Sequence, residues 1–429
     1  AGAAAIVAFA AAFVGYRWSQ ASAGPPIVWT DSLDYARSAI WAGTRPPLVP
    51  ALLAFVPTFG WFVAVQTAVA VAAWGALAWA VAARVPSRAR VPAVAVVLGF
   101  ASTTAVVRWE RSVLSESLAT STLALLCAAL LWASARLTWP RVAAVVLAAA
   151  LFGAARDTDV WIVWALAAAV AVDAVVSGRG VRGIVTALAL AACAGGLLGG
   201  TLASGRTEAN IEHVYFVRVF PYPDRVSWFA AHGMPDADVV REYAADTHTR
   251  RGVAPVVGID HSDSRVPDLV AWLHDHGTAM YVRWVLEHPA FLVTEPARRP
   301  ERAYNFDHGS LDGYSAPERT ELTAVDVVLT PAGWIVLGTA LIALVVLVRR
   351  RTDRRTSGAR VALIVAALGV VHMLIAWHGD GMETTRHASV GNTQARLGVL
   401  LLVVLAASEL LARRPRVAAE ATSHERGSG

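Results

Sequence analysis

Residues 113–135, VLSESLATSTLALLCAALLWASA, decide how this chain folds. After Glu116 the stretch carries no charge, and it is long enough for one helix to cross the roughly 30 Å hydrocarbon core of a bilayer. Its two flanks differ in kind. Residues 108–116, RWERSVLSE, are rich in both charges, whereas residues 135–141, ARLTWPR, carry arginine and no acid. An apolar helix with chemistry at one end and bare arginine at the other is the repeating unit of the whole sequence.

Outward from that stretch, further apolar segments centre on residues 1–16, 59–81, 91–107, 142–154, 160–176, 184–203, 334–348, 361–377 and 397–411. Together they make about ten spans, of which 142–154 is short enough to be half-spanning or broken. The chain is 56% apolar and only 16% charged, against roughly a quarter charged in soluble domains. The fold class expected is therefore all-α, a polytopic membrane helical bundle. Alternate connections at 83–90, 135–141, 178–182, 349–360 and 413–416 are arginine-rich. Short basic loops stay cytoplasmic, which puts both termini in the cytoplasm and the other connections outside. The chain begins at Ala1 inside an apolar segment, which a truncated first span, or else a cleaved signal peptide, would explain.

The expected organisation is a membrane module over residues 1–204 that includes the first outer loop. A loop-rich helical outer domain follows over 205–330, then C-terminal membrane helices over 331–412 and a disordered cytoplasmic tail over 413–429. Within the outer domain, PDADVVREYAADTH opens on a helix-start signal at Pro235–Asp236, and TAMYVRWVLEHPAFLV repeats its apolar residues near the helical period.

Several functions are excluded or left without a motif. The formal charge of +5 comes with no lysine, and in so apolar a chain it is no sign of nucleic-acid binding. Cys127 and Cys193 lie in apolar runs, so neither a disulfide framework nor a thiolate metal site is expected. HDH at 274–276 and DHSD at 260–263 lack the spacing of a zinc site. There is no phosphate-binding glycine loop, no dinucleotide fingerprint and no nucleophile elbow.

Four polar clusters remain, all on connections assigned to the outer side. In TDSLDY, 30–35, Asp31 could accept a proton from an attacking hydroxyl, and it could also help hold a divalent cation. Asp31 and Asp34 share a face if the loop is helical; as a solvated loop they are ordinary charges. In RWERSVLSE, Glu116 opens a membrane helix, where a carboxylate is costly unless it complements the helix dipole, with Ser115 as cap. Arg108 and Arg111 there can snorkel to headgroups. In ARDTD, 155–159, Arg156 could hold a phosphate or pair with Asp157 and Asp159. In ETTRHA, 383–388, Glu383, Arg386 and His387 stand together, with Arg386 a cation for a developing phosphate charge.

TDSLDYARSAIWAG followed by TRPPLVPALLAF, residues 30–55, resembles the first outer loop of GT-C glycosyltransferases. It is most similar to the branch holding protein O-mannosyltransferases and the aminoarabinose transferases of lipid A. The matching positions are Asp31, Tyr35, Gly43, Arg45, Pro46, Pro47 and Leu48. The Ser115–Glu116 and Arg156–Asp157 pairs also have counterparts there. The second acidic position of that branch is Ser32 here, which singles out Asp31. The resemblance implies a GT-C fold, a polyprenyl-phosphate sugar donor and inverting transfer to an extracytoplasmic hydroxyl on a glycan, lipid or protein. It implies Asp31 as catalytic base, with Tyr35, Arg45, Glu116, Arg156 and Asp157 around the substrate. Asp34 has no counterpart in that pattern, and it joins Glu383, Arg386 and His387 as a substrate-site candidate read from the residues alone. No cofactor is required beyond that possible role for a divalent cation. The alternatives read from the same residues are a transporter or lipid flippase, and a non-catalytic membrane scaffold.

Overall fold

The computed structural model describes residues 2–40, 43, 45–176, 178, 180–204, 211–241, 267–298, 356–379, 381 and 384–426. It is all-helical, and among the described residues the only β pairing is an isolated parallel bridge between Ile27 and Ser112. Among the described residues, seven helices are long and apolar enough to cross a membrane. They are α1 (Gly2–Ser22), α4 (Phe59–Ala82), α7 (Glu116–Ala135), α9 (Asp157–Val176), α10 (Gly180–Ala203), and the apolar parts of α15 (Thr356–Gly379) and α16 (Thr384–Arg426).

Of the ten expected spans, two take a different form among the described residues and a third falls outside them. The 91–107 segment forms α5 (Arg90–Ala101) and a short α6 (Thr104–Val107). The Ser102 and Thr103 hydroxyls bond back to Leu98 and Phe100 carbonyls, at 2.9 and 2.7 Å, where the helix breaks. Such hydroxyls compete with the helical ladder. The 142–154 segment forms α8 (Trp139–Gly153), whose 15 residues reach only about 22 Å. The 334–348 segment lies outside the described residues.

Two compact units divide the chain. The first comprises Ala1–Gly199, Ala316–Val371 and Val390–Gly429. In it α4 packs on α1, α5 and α7, while α7 also packs on α8, and α8 on α9. In α7, 72% of the most apolar window is buried, against 28% in α10, so α7 is a central stave of the bundle. The outward faces stay apolar: α1 exposes Val7, Phe9 and Val14, and α4 exposes Trp61 and Trp79 near its two ends. Exposed apolar faces of this extent fit hydrocarbon rather than water, and tryptophan near both ends of a helix matches an interfacial belt. α15 and α16 approach through small residues. A Cβ added at Gly369 would strike the Ala395 backbone, and one at Gly398 would strike Ala366. This is how membrane helices gain contact without a hydrophobic driving force. The backbone of α16 continues to Arg426.

The second unit comprises Gly200–Ser315 and His372–Ser389. Its described helices are α11 (Pro223–Ala231), α12 (Pro267–Trp272), α13 (Thr278–Glu287) and α14 (Phe291–Ala297), with a π-helical turn at Tyr215–Val219. A short helical turn begins just after Asp236, and the TAMYVRWVLEHPAFLV stretch divides at Pro289 into α13 and α14, since proline cannot continue the ladder. The core gathers Tyr215, Phe229, Trp272, Trp284 and Phe291. Arg225 grips Glu295 with two bonds, at 3.2 and 2.7 Å, beneath the Tyr222 ring. A buried guanidinium needs such bidentate pairing to offset its desolvation.

Candidate functional site

The first cluster is built on α2 (Thr30–Arg37). Ser32 starts this helix: the Trp29 N–H donates to its hydroxyl at 2.9 Å, and the Ser32 N–H donates to the Trp29 carbonyl at 3.0 Å. The same hydroxyl donates to the Val113 carbonyl at 2.7 Å. Ser32 is thus fully buried as an anchor, at the position where the resembling families carry a second acid. With α2 fixed, Asp31 and Asp34 lie three residues apart on one helical face.

Arg45 closes this face. One Nη2 donates to Asp31 Oδ1 and to Asp34 Oδ2, both at 2.8 Å, and the guanidinium lies 5.4 Å from the Tyr35 ring. Burial acts to lower the proton affinity of Arg45, but Asp31 and Asp34 outweigh it and hold the pKa above the ordinary arginine value. Side-chain exposures of 13% for Asp31, 27% for Arg45 and 42% for Asp34 leave the group open enough to meet a substrate. Tyr35 itself is buried. Arg45 engages Asp31 through Oδ1, and a carboxylate has a second oxygen able to accept a proton.

Backbone bonds stitch the first cluster to the second and third. Ile27 N–H donates to the Arg111 carbonyl at 2.8 Å and Val113 N–H to the Ile27 carbonyl at 3.0 Å. Leu48 N–H, at the start of α3 (Leu48–Phe55), donates to the Ala154 carbonyl beyond α8 at 3.0 Å. Glu116, 1% exposed, opens α7, and its carboxylate lies 3.7 Å from the buried Arg156 guanidinium just ahead of α9. Asp157 and Asp159 occupy the first turn of α9, where acids complement the helix dipole. Ser115 makes no side-chain cap. Arg111, which could have reached for headgroups, donates instead to the Pro25 carbonyl at 3.2 Å.

Beside these clusters sits a buried pair absent from the sequence-based candidates. Arg17, near the end of α1, donates to Glu110 and, at 2.9 Å, to the Ala101 carbonyl. Gln66 of α4 donates to the carbonyls of Glu110 and Ser112 at 2.6 and 3.1 Å. Burial pushes the Glu110 carboxyl above its ordinary value, with Arg17 opposing. The signal was available: Gln66 is a lone amide within an apolar run, and Arg17 a cation at the edge of one, both costly in lipid without a partner.

The fourth cluster belongs to the second unit. Arg386 Nη2 lies 3.2 Å from His387 Nε2, so Nε2 accepts, and the Ser389 hydroxyl donates to the Arg386 carbonyl at 2.6 Å. Glu383 lies outside the described residues. Among the described residues no group of three or more His, Cys, Asp or Glu side chains is arranged to hold a metal ion. His274 of the HDH stretch pairs with its neighbour Asp275 at 2.9 Å.

Protein-family models, curated proteins and solved structures gave no match to this chain.

Proposed function

We propose that the chain is an integral membrane glycosyltransferase of GT-C type. It moves a sugar from a polyprenyl-phosphate donor to an acceptor hydroxyl outside the cytoplasm, and both termini lie inside. The observation that carries this reading is the Asp31–Arg45–Asp34 group at one end of an apolar bundle, tied by backbone bonds to the elements that hold Glu116 and Arg156. Partly exposed acids held by an arginine supply a base, and the buried Arg156 supplies an anion partner.

In this mechanism the acceptor hydroxyl donates to the Asp31 carboxylate, which Arg45 holds in place through Oδ1. Its proton passes to the Asp31 carboxylate as its oxygen bonds to the anomeric carbon. The bond from that carbon to the phosphate oxygen breaks, and the electron pair leaves with the polyprenyl phosphate. Displacement in one step inverts the anomeric centre. Arg156 holds the departing phosphate with its planar fork of donors, and Glu116, 3.7 Å away, orients it. Asp34, Tyr35 and Asp157 shape the sugar site. Acceptors of such chemistry are glycans, lipids or proteins of the cell envelope.

Comparing surface glycans and polyprenyl-phosphate sugars between a deletion strain and its parent tests this reading. Loss of one glycan together with accumulation of one lipid-linked sugar is expected; unchanged levels of both contradict it. A transport or flippase reading draws on the Arg17–Glu110 pair and Gln66 buried among apolar helices, since ionisable groups inside a bundle often line a path. Flux of a lipid-linked sugar across proteoliposomes, without sugar transfer, would favour it.

A further inference from the structure

At the arginine-bearing end of the first unit, a narrow open crevice lies among α7, α8, α9, α10 and α15. Its position is set by helix ends: Ser134 near the finish of α7, Asp173 near that of α9, Gly183 near the start of α10, and Ser357 and Arg360 near that of α15. Glu116, Arg156 and Asp159 sit at the other ends of α7 and α9. None of the groups named in the proposed transfer lines the cavity.

The wall is mostly hydrocarbon, supplied by Leu130, Val145, Leu166, Val170 and Ile364. The polar groups are few, and they include Ser134, Thr186 and the Asp173–Arg360 pair at 3.4 Å. Arg360 is the more exposed partner, at 33% against 19%, so the cation is what the pair offers outward. Two further guanidiniums border the cavity through its lining residues. Arg84 donates to the Ser134 hydroxyl and, at 2.7 Å, to the Leu131 carbonyl, and Arg182 donates to the Leu137 carbonyl at 3.2 Å. The adjoining connections at 83–90, 135–141 and 178–182 contain no acid. An apolar crevice between spanning helices with a net cationic mouth calls for an amphiphile with a hydrocarbon chain and an anionic head.

We infer that this cavity is a binding site for an anionic phospholipid of the bilayer. An acyl chain lies along Leu166, Val170 and Ile364, and the phosphate is held by Arg360 with Arg84 and Arg182 at the rim. Asp173 sets the Arg360 side chain rather than the charge of the site. Arginine suits this duty because it remains charged and offers a fork of donors to phosphate. The site concerns the lipid solvent of the protein and stands or falls apart from the transfer chemistry.

The test uses the full chain in a neutral detergent, titrated with short-chain phosphatidylglycerol or phosphatidylcholine and read by melting temperature and native mass spectrometry. Ligand that binds the folded state raises its melting temperature with concentration. Expected are a saturable rise and retained lipid with phosphatidylglycerol, and at least about a tenfold weaker response with phosphatidylcholine. The charge-balanced double variant Asp173→Asn/Arg360→Gln should lose that preference, and Ala133→Phe, which fills the cavity, should lose retention of either lipid. Equal responses to the two lipids in the parent chain overturn the proposal without reference to any variant. So does a folded double variant that keeps the preference.

Discussion

The Ser32 hydroxyl donates to the Val113 carbonyl at 2.7 Å across 81 residues of chain, and this bond fixes the helix that presents Asp31 against the entry to α7. An acid at this position would have to bury a charge where a neutral donor now serves. Removing the hydroxyl leaves the Val113 carbonyl without this donor, at a cost of about 1–3 kcal/mol. Ser32→Ala should therefore lower the melting temperature and depress activity together, and Ser32→Glu should do so more severely. Thermal unfolding in detergent alongside a transfer assay checks both.

Arg45 separates function from stability. Its two bonds lie in a partly exposed group, where ion pairs contribute about 0–1 kcal/mol. Arg45→Ala should leave the melting temperature nearly unchanged while lowering transfer more than about tenfold. Arg45→Lys, which keeps the charge on a single nitrogen, should retain more activity than alanine. Equal losses of stability and activity would mean that Arg45 is only a brace.

The Arg17–Glu110 pair is predicted to behave as a unit. Breaking a buried pair from one side costs about 3–5 kcal/mol, whereas replacing both partners is often neutral. Arg17→Met and Glu110→Gln should each destabilise strongly, and the double variant should recover most of the loss, as a double-mutant cycle would measure.

The same pair gives a pH dependence. Burial raises the Glu110 pKa above the ordinary 4.5, so the folded chain holds that proton more tightly than the unfolded chain does. The associated stability is complete below about pH 4.5 and is lost as pH rises through the folded value. Melting temperature should fall over that window in the parent chain. The window should extend upward in Arg17→Met, where the opposing cation is gone, and vanish in the double variant.

How much of this could be read from the sequence depends on range. The apolar runs and the three-residue spacing of Asp31 and Asp34 are local, and they foretold a helical membrane protein and a shared acidic face. The 91–107 run looked continuous by hydropathy, which does not register that Ser102 and Thr103 turn their hydroxyls onto the preceding helix. Ser32 and Arg17 were opaque for another reason. Their partners Val113 and Glu110 are 81 and 93 residues away, and no periodicity reports a contact at that distance. Arg156 was open to pairing with Asp157 or Asp159 beside it, and its meeting with Glu116 depends on how α7 and α9 start.

Close packing of α15 on α16 sets a further expectation. Gly369 and Gly398 leave no space for a side chain, and overpacking of this kind typically costs about 1–3 kcal/mol. Gly369→Leu or Gly398→Leu should lower the yield of folded protein, with the alanine variants intermediate. Size-exclusion profiles after extraction give the reading.

The central claim is that Asp31 takes the acceptor proton. The direct measurement is the transfer rate of purified Asp31→Asn in proteoliposomes supplied with a polyprenyl-phosphate sugar and acceptor, with melting temperature and donor binding recorded on the same preparation. The account predicts a fall in rate of about a hundred- to ten-thousand-fold with folding and donor binding preserved. Transfer at the parent rate by that folded variant would contradict it.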